Sequence, residues 1–297
     1  MWTKTLASQS IRLLARERRR VVADWRILLL CRRASHGAGA PLPDSDRAAA
    51  VIRHLLNAGD LAPIEGVQGV YTVQAAFASI LAVSEEEIIQ EAHPWAVFSH
   101  LTALARHRLT DEIPRSISAT SYSSRGGRLP LGTTPEEWTD IEWPRPRRPR
   151  SVEERSVIWT QSDAAYDFGT TIDYARALPI YVTDSERTLL DAIRRPDKSG
   201  GITVVFQAWA RARDDVDLDR LTDYAEKFDS PLMRQRVGFL CERLDLPHPR
   251  FGQWKRNLRR GSSMKLHPSE PFSSEFSEEW SLSLNVPSSL LDELDQE

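Results

Sequence analysis

The sequence predicts a mixed α+β chain, and three observations carry that prediction. Short apolar stripes at helical spacing alternate with β-like pairs in the first seventy-odd residues. A middle stretch rich in Ser, Pro and alternating apolar residues reads as strands and loops, and the chain beyond Pro179 is mostly helix. With 297 residues, 41% hydrophobic and 27% charged, the chain is long enough for about two domains and too apolar to be disordered.

Taken in order, Leu6, Ile11, Leu14 and Ala15 make one face of a helix over Thr5 to Arg19, with Arg12, Arg16 and Arg19 outside it. Val21-Val22 is a short β pair. Asp24 is an N-cap before a helix over Trp25 to Ala34, and His36 to Pro43 is a Gly/Ala/Pro loop. A third helix opens at Asp44 and runs through Asn57, buries Ala48, Val51, Ile52, Leu55 and Leu56, and stops at Gly59. Strands Leu61 to Ile64 and Val67 to Val73 follow, joined around Glu65-Gly66. Helix, strand, helix, helix, hairpin is the order of a winged helix-turn-helix, whose third helix enters the major groove.

Further along, Val73 to Glu91 is expected as helix with a Ser84–Glu87 capping box, and Ser99 to Arg108 as another. Ile117 and Ala119, and later Ile141 and Trp143, read as strands, with a capping box at Thr134–Glu137 between them. Trp143 to Arg150, Trp-Pro-Arg-Pro-Arg-Arg-Pro-Arg, is an extended basic loop, because each proline forbids helix and extends its predecessor. Ile180 to Val182 is a short strand. Thr183–Glu186 is a capping box that opens a helix to Arg194, and Gly200-Gly201 precedes a helix to about Arg213. Helices over Leu218 to Lys227 and Pro231 to Leu244 come next, and alternation over Trp280 to Val286 predicts a returning strand. The expected organisation is 1–73 as the winged helix, 74–255 as a larger mixed domain ending in a helical bundle, and 256–297 as a basic-then-acidic tail with a strand at 280–286.

Charge separates the ends. Residues 1–60 hold eleven basic and five acidic side chains, a net of +6, whereas one lysine faces eight carboxylates from Met264 onward, a net of −7. A basic head predicts a polyanionic partner, with the tail available to screen it. For phosphate anchoring the expected residues are Arg19, Arg20 and Arg26 with Gln68 on the wing, and for groove contact Ser45, Arg47, Arg53 and His54. Asp44 and Asp46 in the same first turn repel phosphate, and Asp44 is explained as a cap. The runs Arg145 to Arg150 and Lys255-Arg256 with Arg259-Arg260 are secondary candidates for phosphate.

Signals for catalysis are poor. Cys31 and Cys241 stand alone, His100 and His107 lie seven apart rather than at metal spacing, and no phosphate loop or nucleophile elbow occurs. No cofactor and no metal are expected. Asp184, Glu186 and Asp191 could divide acid and base work or hold Mg²⁺ in a nucleotide-handling enzyme. Glu186 is equally explained by the capping box and Asp191 by pairing with Arg187 four residues before it. The longest clean apolar run, Ile27 to Cys31, is far short of a membrane span, and a cytoplasmic protein without a membrane partner is expected.

Gly69-Val70-Tyr71 on the wing, SHLTALARHRLTDEIP over Ser99 to Pro114, YVTDSERTLLDA over Tyr181 to Ala192, Gly200-Gly201, Asp223-Tyr224-Ala225 and RVGFLCE over Arg236 to Glu242 occur in a shared order. In that combination the chain resembles the AbiEi-type antitoxins of type IV toxin–antitoxin systems over about residues 5 to 255. The resemblance implies a winged helix followed by an antitoxin domain, and repression of the protein's own operon by binding its promoter DNA. It also implies a neighbouring AbiEii-type nucleotidyltransferase toxin, countered without a stable complex. Arg187 and Asp191 are the residues singled out in the antitoxin domain. An antitoxin that binds its toxin directly is the further alternative. The loop before Pro43 and the tail after Met264 depart from the family pattern.

Overall fold

A computed structural model describes residues 2–36, 42–75, 78, 82–176, 178–258 and 264–294. The fold is mixed α+β, with eleven α-helices and three sheets among the described residues. Two compact units are each assembled from several stretches: 1–96, 125–159 and 172–181 make the first, and 97–124, 160–171 and 182–297 the second. Residues 1–73 thus fold together with later segments of chain.

The first unit begins with α1 (Trp2–Arg16), β1 (Val21–Ala23), α2 (Asp24–His36), α3 (Ser45–Ala58), β2 (Leu61–Ile64) and β3 (Val67–Val73). The strands form one antiparallel sheet in the order β1-β3-β2, with Val21 opposite Thr72 and Leu61 opposite Val73. The apolar stripe of each helix meets in one core of Leu6, Leu14, Ile27, Leu30, Val51 and Leu55, closed from the sheet by Val22, Leu61 and Val73. α1 ends at Arg16 rather than Arg19, because Arg18 turns into the left-handed region at φ 54 and the Arg19 N–H bonds back to Leu14. The loop expected over 36–43 falls largely on residues 37–41, outside the described residues.

α4 (Glu85–Ala92) starts at the expected capping box, where Glu87 N donates to Ser84 Oγ and Ser84 N to the Glu87 carboxylate, both at 3.2 Å. The helix expected from Val73 is therefore much shorter: Gln74 and Ala75 are not helical, and residues 76, 77 and 79–81 lie outside the described residues. The capping box at Thr134 and Glu137 opens one 3-10 turn, Pro135–Trp138. Ile141 and Trp143 do not form a strand. Trp143 instead stacks on Trp138 with ring centroids 4.7 Å apart and meets Trp95 edge-on at 6.2 Å. Aromatic packing, with proline on its C-terminal side, overrides the alternation there.

The remaining strands are β4 (Val97–Phe98), β5 (Ser116–Tyr122), β6 (Ser151–Val152), β7 (Arg155–Ser162), β8 (Thr170–Ala175) and β9 (Leu178–Thr183), in a sheet of order β6-β7-β5-β4-β9-β8. Helices α5 (His100–Arg106), α6 (Ser185–Arg194), α7 (Ile202–Arg211), α8 (Leu218–Lys227), α9 (Pro231–Arg243) and α10 (Pro249–Arg256) belong to the second unit. There Leu189, Leu190, Val205, Leu221, Val237 and Leu240 bury a common core.

The acidic C-terminal segment is part of that core. It holds β10 (Met264–Lys265), β11 (Phe276–Ser277), β12 (Leu282–Ser283) and α11 (Ser288–Leu294), and buries Leu266, Trp280, Leu282 and Leu291. The expected strand over 280–286 contracts to Leu282–Ser283, because Trp280 turns into the helices and Ser281 takes φ 50. The Trp280 ring lies so close to α9 that a Cβ on Gly238 would fall 1.9 Å from its far edge, while Trp280 Nε1 donates to Glu242 at 2.7 Å. Gly238→Ala would ordinarily gain about 1 kcal/mol of helix propensity. Here overpacking is expected to reverse the sign and cost about 1–3 kcal/mol, read as a lower midpoint in urea. A midpoint at or above that of the unaltered chain would show that the ring is free to move aside.

Candidate nucleic-acid interface

α3 is fixed at both ends by its sequence. Asp44 Oδ1 accepts the Arg47 N–H at 3.0 Å, and Gly59, at φ 77, satisfies the last carbonyls of the helix. One face, Ala48, Val51, Ile52 and Leu55, is buried against the core. The opposite arc carries Asp46, Ala50, Arg53 and Asn57, spaced four, three and four apart, and Arg47 and His54 lie together on its flank. Ser45, Arg47, Arg53 and Asn57 are exposed and His54 is half-buried. The β2–β3 hairpin turns at Gly66, φ 73, and presents Gln68 to solvent; its register slips at Pro63/Ile64. Ser45, Arg47, Arg53, His54 and Gln68 are therefore placed where donors and acceptors can meet a partner.

Arg19, Arg20 and Arg26 are not. All three are buried, and they pair with α4 rather than with solvent. Arg19 Nη1 reaches Glu91 at 3.0 Å, and Arg26 Nε sits 2.8 and 2.9 Å from the two Glu91 oxygens. Arg20 Nη2 bonds Glu87 at 2.6 Å. Glu91 also accepts the Ala23 N–H at 3.1 Å, and Arg19 and Arg26 both donate to the Leu131 carbonyl. Burial, helped by Arg19, lowers the Arg26 guanidinium to about 10 against the pull of Glu91. Burial alone would raise the Glu91 carboxyl, but Arg26 and Arg19 together bring it below its ordinary value. The expectation that these three arginines anchor phosphate is thus corrected: their charge is consumed inside the unit.

The exposed positive charge of the head sits on Lys4, Arg12, Arg16, Arg18, Arg47 and Arg53 instead. Arg12 and Arg16 lie one turn apart on the polar side of α1, and of the three arginines placed outside its apolar stripe these two are exposed. What hid the burial of Arg19 was the distance in sequence to Glu91, 72 positions away.

In the second unit, Arg187 is buried between Phe168 and Phe228, its guanidinium carbon 4.4 and 4.8 Å from their centroids. It bonds Asp191 at 3.0 Å and the carbonyls of Tyr166 and Phe168 at 2.7 and 3.0 Å. The Arg187–Asp191 pair accordingly ties a loop to α6.

The expected capping box is displaced by one residue. Asp184, not Thr183, caps α6 by accepting the Arg187 N–H at 2.9 Å, and Thr183 bonds Thr188 at 2.7 Å. Glu186 reaches away to the Asp217 N–H at 3.0 Å and to Arg220. Asp184 also accepts the Tyr224 hydroxyl at 2.8 Å. Burial raises the Asp184 carboxyl, and burial with the Asp184 bond raises the Tyr224 phenol. Asp184, Glu186 and Asp191 thus each answer to a different structural partner. Among the described residues, no group of three or more His, Cys, Asp or Glu side chains is arranged to hold a metal ion, and no helix is long and apolar enough to cross a membrane.

No family model matches the chain, and no curated protein matches it. The crystal structure of the RV2827C protein from Mycobacterium tuberculosis is similar in fold, with a TM-score of 0.54 over 99% of this chain and 95% of that one, at 16% identity. At that identity the likeness concerns the fold, which is a mixed α+β architecture along nearly the whole of both chains.

Proposed function

We infer that the N-terminal part of the first unit is a winged helix-turn-helix that docks α3 into the major groove of duplex DNA, and that the chain is a DNA-binding repressor. The observation that carries this reading is the arrangement α1-β1-α2-α3-β2-β3 with sheet order β1-β3-β2, in which α3 leaves one polar face uncovered beside an exposed hairpin. That face offers the side chains that read base edges. Arg53 suits guanine O6 and N7, Asn57 suits adenine N6 and N7, and Ala50 is small enough to admit a thymine methyl. Gln68 on the hairpin and Arg12, Arg16 and Arg18 near α1 supply backbone contacts. The resemblance to AbiEi-type antitoxins supports the further reading that the DNA is the chain's own promoter. It also supports an AbiEii-type nucleotidyltransferase toxin as the functional partner.

The test is binding to labelled duplex from immediately upstream of the gene, against a scrambled duplex of equal length. Arg53→Ala and Asn57→Ala are each expected to cost about 1–3 kcal/mol on the upstream duplex and much less on the scrambled one. Arg47→Ala is expected to weaken both and to flatten the salt dependence by about one unit. Sequence preference that survives Arg53→Ala and Asn57→Ala together would remove α3 from the groove.

A further inference from the structure

The proline–arginine run 143–150 is pinned into the first unit along one side. Pro144 and Pro149 are buried, and the Trp159 indole donates to the Pro149 carbonyl at 2.8 Å. The Arg147 N–H donates to the Ala92 carbonyl at 2.9 Å, and the Arg150 carbonyl accepts from Val157 at 2.9 Å. Arg147 makes a two-pronged pair with Asp24 at 3.2 and 2.5 Å. Its guanidinium also lies over the hairpin: a Cβ on Gly69 would fall 2.9 Å from Cζ of Arg147 and 2.7 Å from the Asp24 carboxylate. Gly69 directly follows Gln68, so the run lies against the wing strand of the proposed DNA reader. Arg145, Arg148 and Arg150 are exposed, and between Glu142 and Glu153 the only charged side chains are arginines.

We propose that Arg145, Arg148 and Arg150 form a phosphate-tracking strip that extends the duplex contact of α3 and the hairpin; this rests on the reading of the N-terminal part as a DNA-binding winged helix. Extended proline-rich chain advances about 3.1 Å per residue, so Arg145 to Arg150 spans roughly 15 Å. A DNA strand rises about 3.4 Å per phosphate along the axis but its phosphates lie roughly 7 Å apart along the winding backbone, so the strip reaches about three phosphates, one for each arginine. Buried prolines and two backbone bonds hold the strip before DNA arrives, which lowers the ordering cost of binding. The groups are charges on an extended chain rather than donors aimed at base edges, so the strip is expected to be blind to sequence.

The experiment is fluorescence anisotropy of the full chain on the upstream and scrambled duplexes between about 50 and 200 mM salt. The triple variant Arg145→Ala/Arg148→Ala/Arg150→Ala is expected to flatten the plot of log affinity against log salt by about 0.9 for each phosphate no longer neutralised, up to roughly 2.7. It should weaken both duplexes by the same factor. Arg145→Lys/Arg148→Lys/Arg150→Lys should keep the slope. A slope unchanged by the alanine variant, while the unaltered chain binds, overturns the strip and leaves the DNA reading standing. A loss confined to the upstream duplex overturns the assignment to phosphate. Failure of the unaltered chain to bind either duplex removes both the strip and the reading beneath it.

Discussion

Glu91→Gln is expected to destabilise the first unit by about 3–5 kcal/mol, the cost of leaving the buried Arg26 without its counter-charge, whereas Arg19 keeps Glu17 at 2.5 Å. Glu91 is the acceptor shared by Arg19 and Arg26, and its second oxygen also takes the β1 backbone at Ala23. One Arg26 nitrogen, Nη1, makes no hydrogen bond among the described residues, so that side chain has little in reserve. Replacing the charge pair by apolar groups of similar volume should cost far less than breaking it. The double variant Glu91→Leu/Arg26→Met is therefore expected to sit above Glu91→Gln in urea midpoint. Because the pair is dry, the loss should hardly change with salt. A cost for Glu91→Gln under about 1 kcal/mol would show that Arg19 and Arg26 find water instead.

The second large effect is acid lability. His93 and His100 are both buried, and burial chiefly holds each imidazole down at about 4 from 6.5; Arg148 adds to this at His93, whereas Asp191 opposes it at His100. The unfolded chain takes up these protons from about pH 6.5 downward and the folded chain only near pH 4. Stability from each ring is thus complete above about pH 6.5 and drains away across the window from 6.5 to 4. At about 1.36 kcal/mol per unit, each contributes about 3 kcal/mol. Glu91, whose folded carboxyl lies below its ordinary 4.5, is lost only at lower pH still.

The rings are distributed between the units, His93 in the first and His100 in the second, so both units are expected to weaken in mild acid. Thermal midpoints should fall steeply between about pH 6.5 and 4. His100→Gln should flatten that slope by about one proton whatever it does to the midpoint near pH 7. A midpoint that stays level from about pH 7 to about pH 5 would contradict the burial of both rings.

The first seventy-three residues were largely legible because their signals are local. Asp44, the apolar stripe from Ala48 to Leu55 and Gly59 specify α3 within one residue at each end, and Gly66 marks the hairpin. Helix α8 was equally clear, since its period is strong and nothing competes with it. What failed depends on partners far away in sequence. Arg19, Arg20 and Arg26 look like surface charge until Glu87 and Glu91 are folded against them. Trp143 looks like a strand residue until Trp138 and Trp95 enclose it. Trp280 looks like the start of a strand until Gly238 opens a place for its ring. The candidate interface was half visible for the same reason: amphipathic spacing shows which face of α3 is polar, whereas the rest of the charge has to be sorted by tertiary pairing.

Hydroxyl-radical footprinting of the purified chain on the DNA upstream of its gene, at low salt, goes straight to whether α3 and the hairpin grip a duplex. Protection of the sugar–phosphate backbone should appear over one short segment, and Arg53→Ala with Asn57→Ala should weaken that footprint as a whole while leaving circular dichroism unchanged. Uniform cleavage along the whole fragment at protein concentrations well above about 10⁻⁶ M, where even non-specific binders engage DNA, would contradict the account.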